Sequence, residues 1–150
     1  DMTPTIRPMT AADLSRVFDI EQVSHPSPWP LKGLQESLQN HAAFVLEHQG
    51  RVVGFAFVQR ILDEAHLLDI AIDPSCRGQG LGRELLRQLM DDVLVQGITI
   101  WFLEVRVSNA AAISLYQSLG YNELSLRRNY YDGPEGKEDA LLMACSTGMG

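Results

Sequence analysis

Residues 66–94 read HLLDIAIDPSCRGQGLGRELLRQLMDDVL. An apolar run ends at Asp73-Pro74, a short glycine-rich turn follows, and a strongly amphipathic segment begins behind it. Leu81, Leu85, Leu89 and Val93 recur at helical spacing, and Leu86, Met90 and Leu94 widen the same face. These features predict a strand, a tight loop and a long helix ended by Gly97. In the loop Arg77-Gly78-Gln79-Gly80-Leu81-Gly82, glycines let an anion approach backbone N–H groups at the positive end of the helix dipole. A ligand carrying a pyrophosphate is the first expectation. A glycine-rich helix start of purely structural purpose is the plainer alternative.

Two familiar phosphate loops do not fit. A Walker loop needs Gly-Lys-Ser/Thr, and this loop has no lysine. A dinucleotide fingerprint started at Gly78-Gln79-Gly80 needs its third glycine where Arg83 stands. The spacing that does fit is Arg77-x-x-Gly80-x-Gly82. It resembles the acetyl-coenzyme A signature, Gln/Arg-x-x-Gly-x-Gly/Ala, of the GCN5-related N-acetyltransferases (GNAT).

The chain has 150 residues, 45% of them hydrophobic, which suits one domain over 1–150 with an ordinary core. No apolar run approaches the length of a membrane span. Asp1-Met2-Thr3-Pro4 shows no signal-peptide pattern, and Cys76 and Cys145 lie far apart without a Cys-x-x-Cys. A reduced, cytoplasmic protein is expected. His25, His41, His48 and His66 form no metal-ligand spacing, so no metal is expected. The net charge of −7 argues against nucleic-acid binding, and no membrane partner is expected. Attraction for a polyanion must then be local, from Arg77, Arg83 and Arg87 around the glycine loop. For Arg87, solvated surface is the simpler reading.

Taken in order, Thr5-Ile6-Arg7 predicts a first strand. Thr10 caps a helix, with Asp13 three residues on and Leu14, Val17 and Phe18 on its buried side. The loop Ser24-His25-Pro26-Ser27-Pro28-Trp29-Pro30 is too rich in proline to be regular. A short helix follows with Leu31, Leu34 and Leu38 on one face. Strands are expected at 43–46, 52–59 and 67–72, the first two joined by a turn at Gln49-Gly50. After the long helix, 98–107 predicts an apolar strand buried on both faces. Asn109 caps another helix, with Ala112, Leu115, Tyr116 and Leu119 on one face and Gly120 at its end. Strands at 121–127 and 139–145 flank an expected loop at 128–138. A mixed α/β layer follows, with no internal repeat or low-complexity segment.

That order is also the order of the GNAT fold, so the resemblance covers nearly the whole chain. It implies a mixed, mostly antiparallel sheet flanked by helices. It further implies that the glycine-loop strand and the next one splay apart, with the acyl thioester in the gap.

Acyl transfer from a thioester to an amine needs a proton acceptor for the amine, a stabilised oxyanion and a proton donor for the thiolate. Glu104, in Trp101-Phe102-Leu103-Glu104-Val105-Arg106-Val107, is a carboxylate embedded in an apolar strand. Its plainer role is an ion pair with Arg106, two residues along on the same strand face. Tyr116 is by spacing a core aromatic, and Asn109 first of all an N-cap. Trp29 packs the helix start or meets a substrate.

The match narrows within the GNAT enzymes. Trp101-Phe102-Leu103-Glu104-Val105-Arg106, Asn109-Ala110-Ala111-Ala112-Ile113 with Leu115-Tyr116, and Arg127-Arg128-Asn129-Tyr130-Tyr131 resemble the RimI-type ribosomal-protein-alanine N-acetyltransferases of bacteria. His25 with Pro28-Trp29 and Leu62-Asp63-Glu64-Ala65 agree with that type. The resemblance implies acetyl-coenzyme A as co-substrate and a ribosomal protein with N-terminal alanine as acceptor. It implies direct attack in a ternary complex without a covalent acyl-enzyme, leaving Cys76 without a nucleophilic role. It assigns Glu104 as general base and Tyr116 as general acid. Ile70-Ala71-Ile72 would hold the acetyl and pantetheine portion and supply the oxyanion donor from backbone N–H. Arg77, Gly78, Gln79, Gly80, Leu81 and Gly82 would hold the pyrophosphate, with Asn109 as a further cofactor contact. Arg128, Tyr130, Tyr131 and the 24–29 loop with Trp29 would wall the peptide site; ordinary hairpin and loop surface is the alternative. Acetylation of lysine side chains or small amines, or a noncatalytic coenzyme A-binding module, are the competing functions.

Overall fold

In the computed structural model, which describes residues 3–147, periodicity resolves into seven strands and four α-helices. β1 (Thr5–Pro8) leads through a 3-10 turn into α1 (Leu14–Ser24). Thr10 opens that turn as expected: its backbone N–H donates to Asp13 at 2.8 Å, and Arg7 donates to the same carboxylate at 2.8 Å. The Arg7 hydrogen bond, reinforced by Thr10, holds the Asp13 carboxyl down at about 2. After the proline-rich loop comes α2 (Leu31–Asn40), on which Leu34 is buried, Leu38 half-buried and Leu31 exposed. β2 (Ala42–His48) and β3 (Arg51–Ile61) form a hairpin, and β4 (Glu64–Ile72) leads to the glycine turn and α3 (Leu81–Gln88). β5 (Ile100–Arg106), α4 (Ala110–Ser118), β6 (Asn122–Gly133) and β7 (Gly136–Ser146) complete the chain.

The strands form one sheet in the order β1-β2-β3-β4-β5-β7-β6. Every pair is antiparallel except β4 with β5. On one face, Leu81, Leu85, Leu86 and Leu89 pack with Trp101, Leu103 and Met143. On the other, Val17, Ile20 and Leu34 pack on Phe55 and Phe57. Each such side chain, fully buried, contributes about 1.5–3 kcal/mol. The two layers cover the centre of the sheet, which is where the strands part.

Three expectations need correction. The long helix is regular only to Gln88; Leu89–Val93 continue as a wider π turn. That turn rotates the later residues, so Val93 is exposed while Leu94 still packs, and Gly97 lies beyond the helix. The strand at 98–107 alternates: Trp101, Leu103 and Val105 are buried, and Ile100, Phe102, Glu104 and Arg106 only partly so. The expected loop at 128–138 is instead the end of a long hairpin, because β6 and β7 run on to Gly133 and Gly136. Polar composition concealed those strands: β6 is exposed along nearly its whole length and has no apolar alternation to read.

Candidate active site

β4 and β5 pair only from Glu64↔Ile100 to Leu67↔Leu103. Beyond that, β4 continues to Ile72 against β3, and β5 continues to Arg106 against β7, with a gap between them. The parting coincides with a bulge. Adjacent residues Phe57 and Val58 of β3 face Asp69 and Leu67 of β4, leaving Leu68 unmatched. An unmatched residue reverses the alternation of side chains. Leu67 therefore joins the α3 side of the sheet, whereas Asp69 turns to the α1 side and meets His25.

Two cavities open along the gap. One, of about 530 Å³, runs over Ile70, Ala71, Ile72, the glycine turn and α4. The other, of about 580 Å³, is walled by Asp69, Glu104, the loop after α1, and Tyr130 and Tyr131. Ile70, Asn109 and Tyr116 line both, with Ser24 and His25. Tyr116 thus stands where the cavities meet.

The first cavity is built from backbone. Gly78 and Gly80 adopt φ of 82° and 74°, and Gly80 is the N-cap of α3. Left-handed residues at a helix start turn successive N–H groups to one side, which makes an anion nest. A methyl at Gly82 would lie 3.3 Å from Leu115 Cδ1, so the glycine keeps this wall thin. Arg77 and Arg83 line the cavity, with Arg83 Nε donating to Ser118 Oγ at 3.3 Å. No carboxylate is among the lining residues. The surroundings fit a pyrophosphate. Arg87 instead pairs with Glu84 at 2.8 Å, the surface role expected for it. Leu81 lines the cavity from a buried position, whereas Gln79 is exposed and lines neither cavity. Asn109 Oδ1 accepts the Ala112 N–H at 3.1 Å, so it is an N-cap that also faces the site.

The second cavity is built from side chains. Glu104 is largely buried, and its Oε2 lies 2.8 Å from His66 Nε2. Arg127 Nε lies 3.8 Å from Oε1. The Arg106 ion pair suggested by spacing does not form. Arg106 turns to Glu138 at 3.3 Å, donates to the Asp132 carbonyl at 2.8 Å, and lies 4.5 Å over the Tyr131 ring. Burial, with the nearby Glu104 charge, pushes the Tyr131 phenol up to about 12. Burial first, and then the Asp69 charge, raises the Tyr116 phenol well above its ordinary value. Tyr116 is therefore a hydroxyl throughout the physiological range and can donate a proton.

Trp29 packs 5.7 Å from Phe57 and also lines the second cavity. Tyr130 and Tyr131 are aimed there by a wide irregularity in β6. Between the pairs Arg127↔Ala140 and Tyr131↔Glu138, residues 128–130 face Asp139 alone, with Asn129 at φ 55°. Arg128 is exposed and lines neither cavity.

Sequence reasoning missed three residues. His66 is the hydrogen-bond partner of Glu104 across the strands. Glu21 and Asp69 form a carboxylate pair beside His25, whose Nε2 is 2.9 Å from Asp69 Oδ1. Burial above all, then Asp69, raises the Glu21 carboxyl to about 9, while Oε2 accepts the Trp29 N–H at 2.9 Å. Their available signals were the Glu21–His25 spacing of four at a helix end, and a second carboxylate in an apolar strand. These groups offer ligand atoms within 4.8 Å of one another. A shared proton accounts for the two carboxylates without further charge.

A model of the acetyltransferase (GNAT) family matches residues 14–121. The chain belongs to the GNAT acetyltransferase family. The [ribosomal protein bS18]-alanine N-acetyltransferase of Escherichia coli (strain K12) is 44% identical over 146 residues, which span 97% of this chain and 99% of that one. The crystal structure of the ribosomal-protein-S18-alanine N-acetyltransferase from Escherichia coli superposes with a TM-score of 0.91 at 44% identity, over 99% of this chain and 96% of that one. A GNAT family acetyltransferase from Elizabethkingia anophelis with acetyl-CoA bound shares the fold, with a TM-score of 0.80 at 18% identity. That match covers 95% of this chain and 97% of the other. No helix among the described residues is long and apolar enough to cross a membrane.

Proposed function

We propose that this GNAT enzyme transfers acetyl from acetyl-coenzyme A to the N-terminal alanine of a small-subunit ribosomal protein, in one ternary complex. One observation carries the mechanism: the backbone-built cavity and the side-chain-built cavity join at Tyr116, with Glu104 in the wall of the second. The substrate class rests on the 44% identity, over nearly full length, to an enzyme named for the alanine of bS18.

The pyrophosphate sits on the Gly78–Gly80 nest with Arg77 and Arg83 beside it, and the pantetheine arm follows the free edge of β4 along Ile70 to Ile72. The acceptor amine enters from the Tyr130–Tyr131 and Trp29 side. Glu104 takes its proton, directly or through a water, and the nitrogen attacks the thioester carbonyl. A backbone N–H at residues 70–72, where β4 has lost its β5 partner, receives the oxyanion. Tyr116 gives its proton to the departing thiolate. Cys76 lines the phosphate side of the first cavity and does not line the second, which suits direct transfer.

Energetics favour a terminal amine. A free α-amino group titrates at about 7.7–8.0 and lysine near ~10.4. At ~1.4 kcal/mol per unit, deprotonating lysine costs about 3–4 kcal/mol more at the same pH. One carboxylate suffices for the first, and for the second the same base carries that added cost.

The test is a peptide panel with labelled acetyl-coenzyme A, read by mass spectrometry. It holds an alanine-starting ribosomal peptide, serine- and methionine-starting variants, and an N-blocked peptide with an internal lysine. Transfer to the free alanine terminus is expected. Transfer to the blocked peptide would move the assignment to lysine side chains, and binding of coenzyme A without transfer to any peptide would favour a noncatalytic module.

A further inference from the structure

We infer that His66 is a positioning residue for Glu104, holding one carboxylate oxygen so that the other is left for the amine. This rests on the reading of Glu104 as general base. The geometry is specific. His66 stands on β4 next to Leu67, the last residue paired with β5, so it is fixed where the sheet is still closed, while Glu104 lies one residue past Leu103, where it has opened. The imidazole reaches the carboxylate from outside the acceptor cavity, which it does not line. With its N–H on Nε2, it donates to Glu104 Oε2 at 2.8 Å. Oε1 accepts no hydrogen bond among the described residues and is left for the amine proton. The ring is itself held 6.3 Å from that of Phe102 and is about one-third exposed, so solvent protons can reach it.

Neutral His66 fixes one carboxylate oxygen and leaves the other basic. An imidazolium in the same place adds a positive charge against the carboxylate, stabilises its ionised form and makes it a poorer proton acceptor. The other groups facing the pair are Arg127, 3.8 Å from Oε1, and Tyr131 of β6, within electrostatic range of Glu104. On the flanking strands, β3 opposes His66 with Gln59 and β7 opposes Glu104 with Leu142, neither of which titrates. The proton balance is simple: Glu104 takes one proton from the amine, and His66 neither gains nor loses one in the transfer step.

The experiment compares the unmodified enzyme with His66→Gln and His66→Ala, using one alanine-starting peptide from pH 5.5 to 9. His66→Gln keeps a donor that can reach the same oxygen. It is expected to stay within about threefold of the unmodified kcat at pH 8. His66→Ala loses the donor and should drop about tenfold in kcat at pH 8, with the KM for acetyl-coenzyme A unchanged. Full kcat in His66→Ala, or a loss in His66→Gln as large as that in His66→Ala, would overturn the inference. Glu104→Gln is run alongside. Full activity there overturns the assignment of the base itself, whereas loss there with normal His66 variants overturns only the positioning role.

Discussion

The two cavities that meet at Tyr116 are built in opposite ways. The proposed cofactor half comes mostly from one stretch, β4 through the start of α3, with α4 closing its other side, and its chemistry is backbone N–H groups held in place by glycine φ angles. The proposed acceptor half draws on α1 and its loop, β4, β5 and β6, and its chemistry is carboxylates, an imidazole and phenols. A backbone site needs only local geometry and binds what all GNAT enzymes share. A side-chain site needs long-range packing, and it is where substrates are told apart. The family resemblance accordingly appears first in the glycine turn, and the finer assignment rests on scattered residues.

The contrast can be broken from either side. The largest effect should come from the acceptor half: Glu104→Gln is expected to lower kcat by about 10²–10⁴ with little change in acetyl-coenzyme A binding. Steady-state kinetics beside coenzyme A titration checks this. Tyr116→Phe, at the junction, conserves ring volume and removes only the acidic proton; kcat should fall by about 10², at the lower end of the general-acid range. Thiol release followed over time reads this loss directly.

In the cofactor half the effect should fall on binding. Gly80 has φ 74°, and a non-glycine residue in that region costs about 1–2 kcal/mol. Gly80→Ala should therefore weaken acetyl-coenzyme A binding by about 5- to 30-fold, and leave kcat at saturation near that of the unmodified enzyme. A kcat loss with unchanged binding would erase the distinction between the halves.

A separate effect falls on stability rather than on turnover. Glu21 keeps its proton in the folded chain up to about 9, against an ordinary value of 4.5. Between these values the folded state binds one more proton than the unfolded one, so this group's stabilisation is complete at low pH and is lost as pH rises through that window. Glu21→Gln, neutral throughout, should flatten that decline. Urea unfolding at pH 5.5 and 8.5 measures the difference.

The sequence by itself determined the element order, the phosphate turn and its family, because each is written in neighbouring residues: helical spacing after Gly80, an N-cap at Asn109, glycines where positive φ is needed. It also picked out Glu104 as a carboxylate in an apolar strand. Gln79 and Arg128, carried by the resemblance alone, turned out to line neither cavity. What only the tertiary structure decided is which groups meet. The unmatched Leu68 turns Asp69 toward His25, the end of the β4–β5 ladder puts His66 rather than Arg106 on Glu104, and the irregularity in β6 aims Tyr131 inward. A bulge adds one residue without altering composition, so a period-two pattern cannot reveal it, and partners 38 residues apart have no local trace. Local conformation is encoded locally, and a site made of side chains exists only once the sheet has closed and then parted.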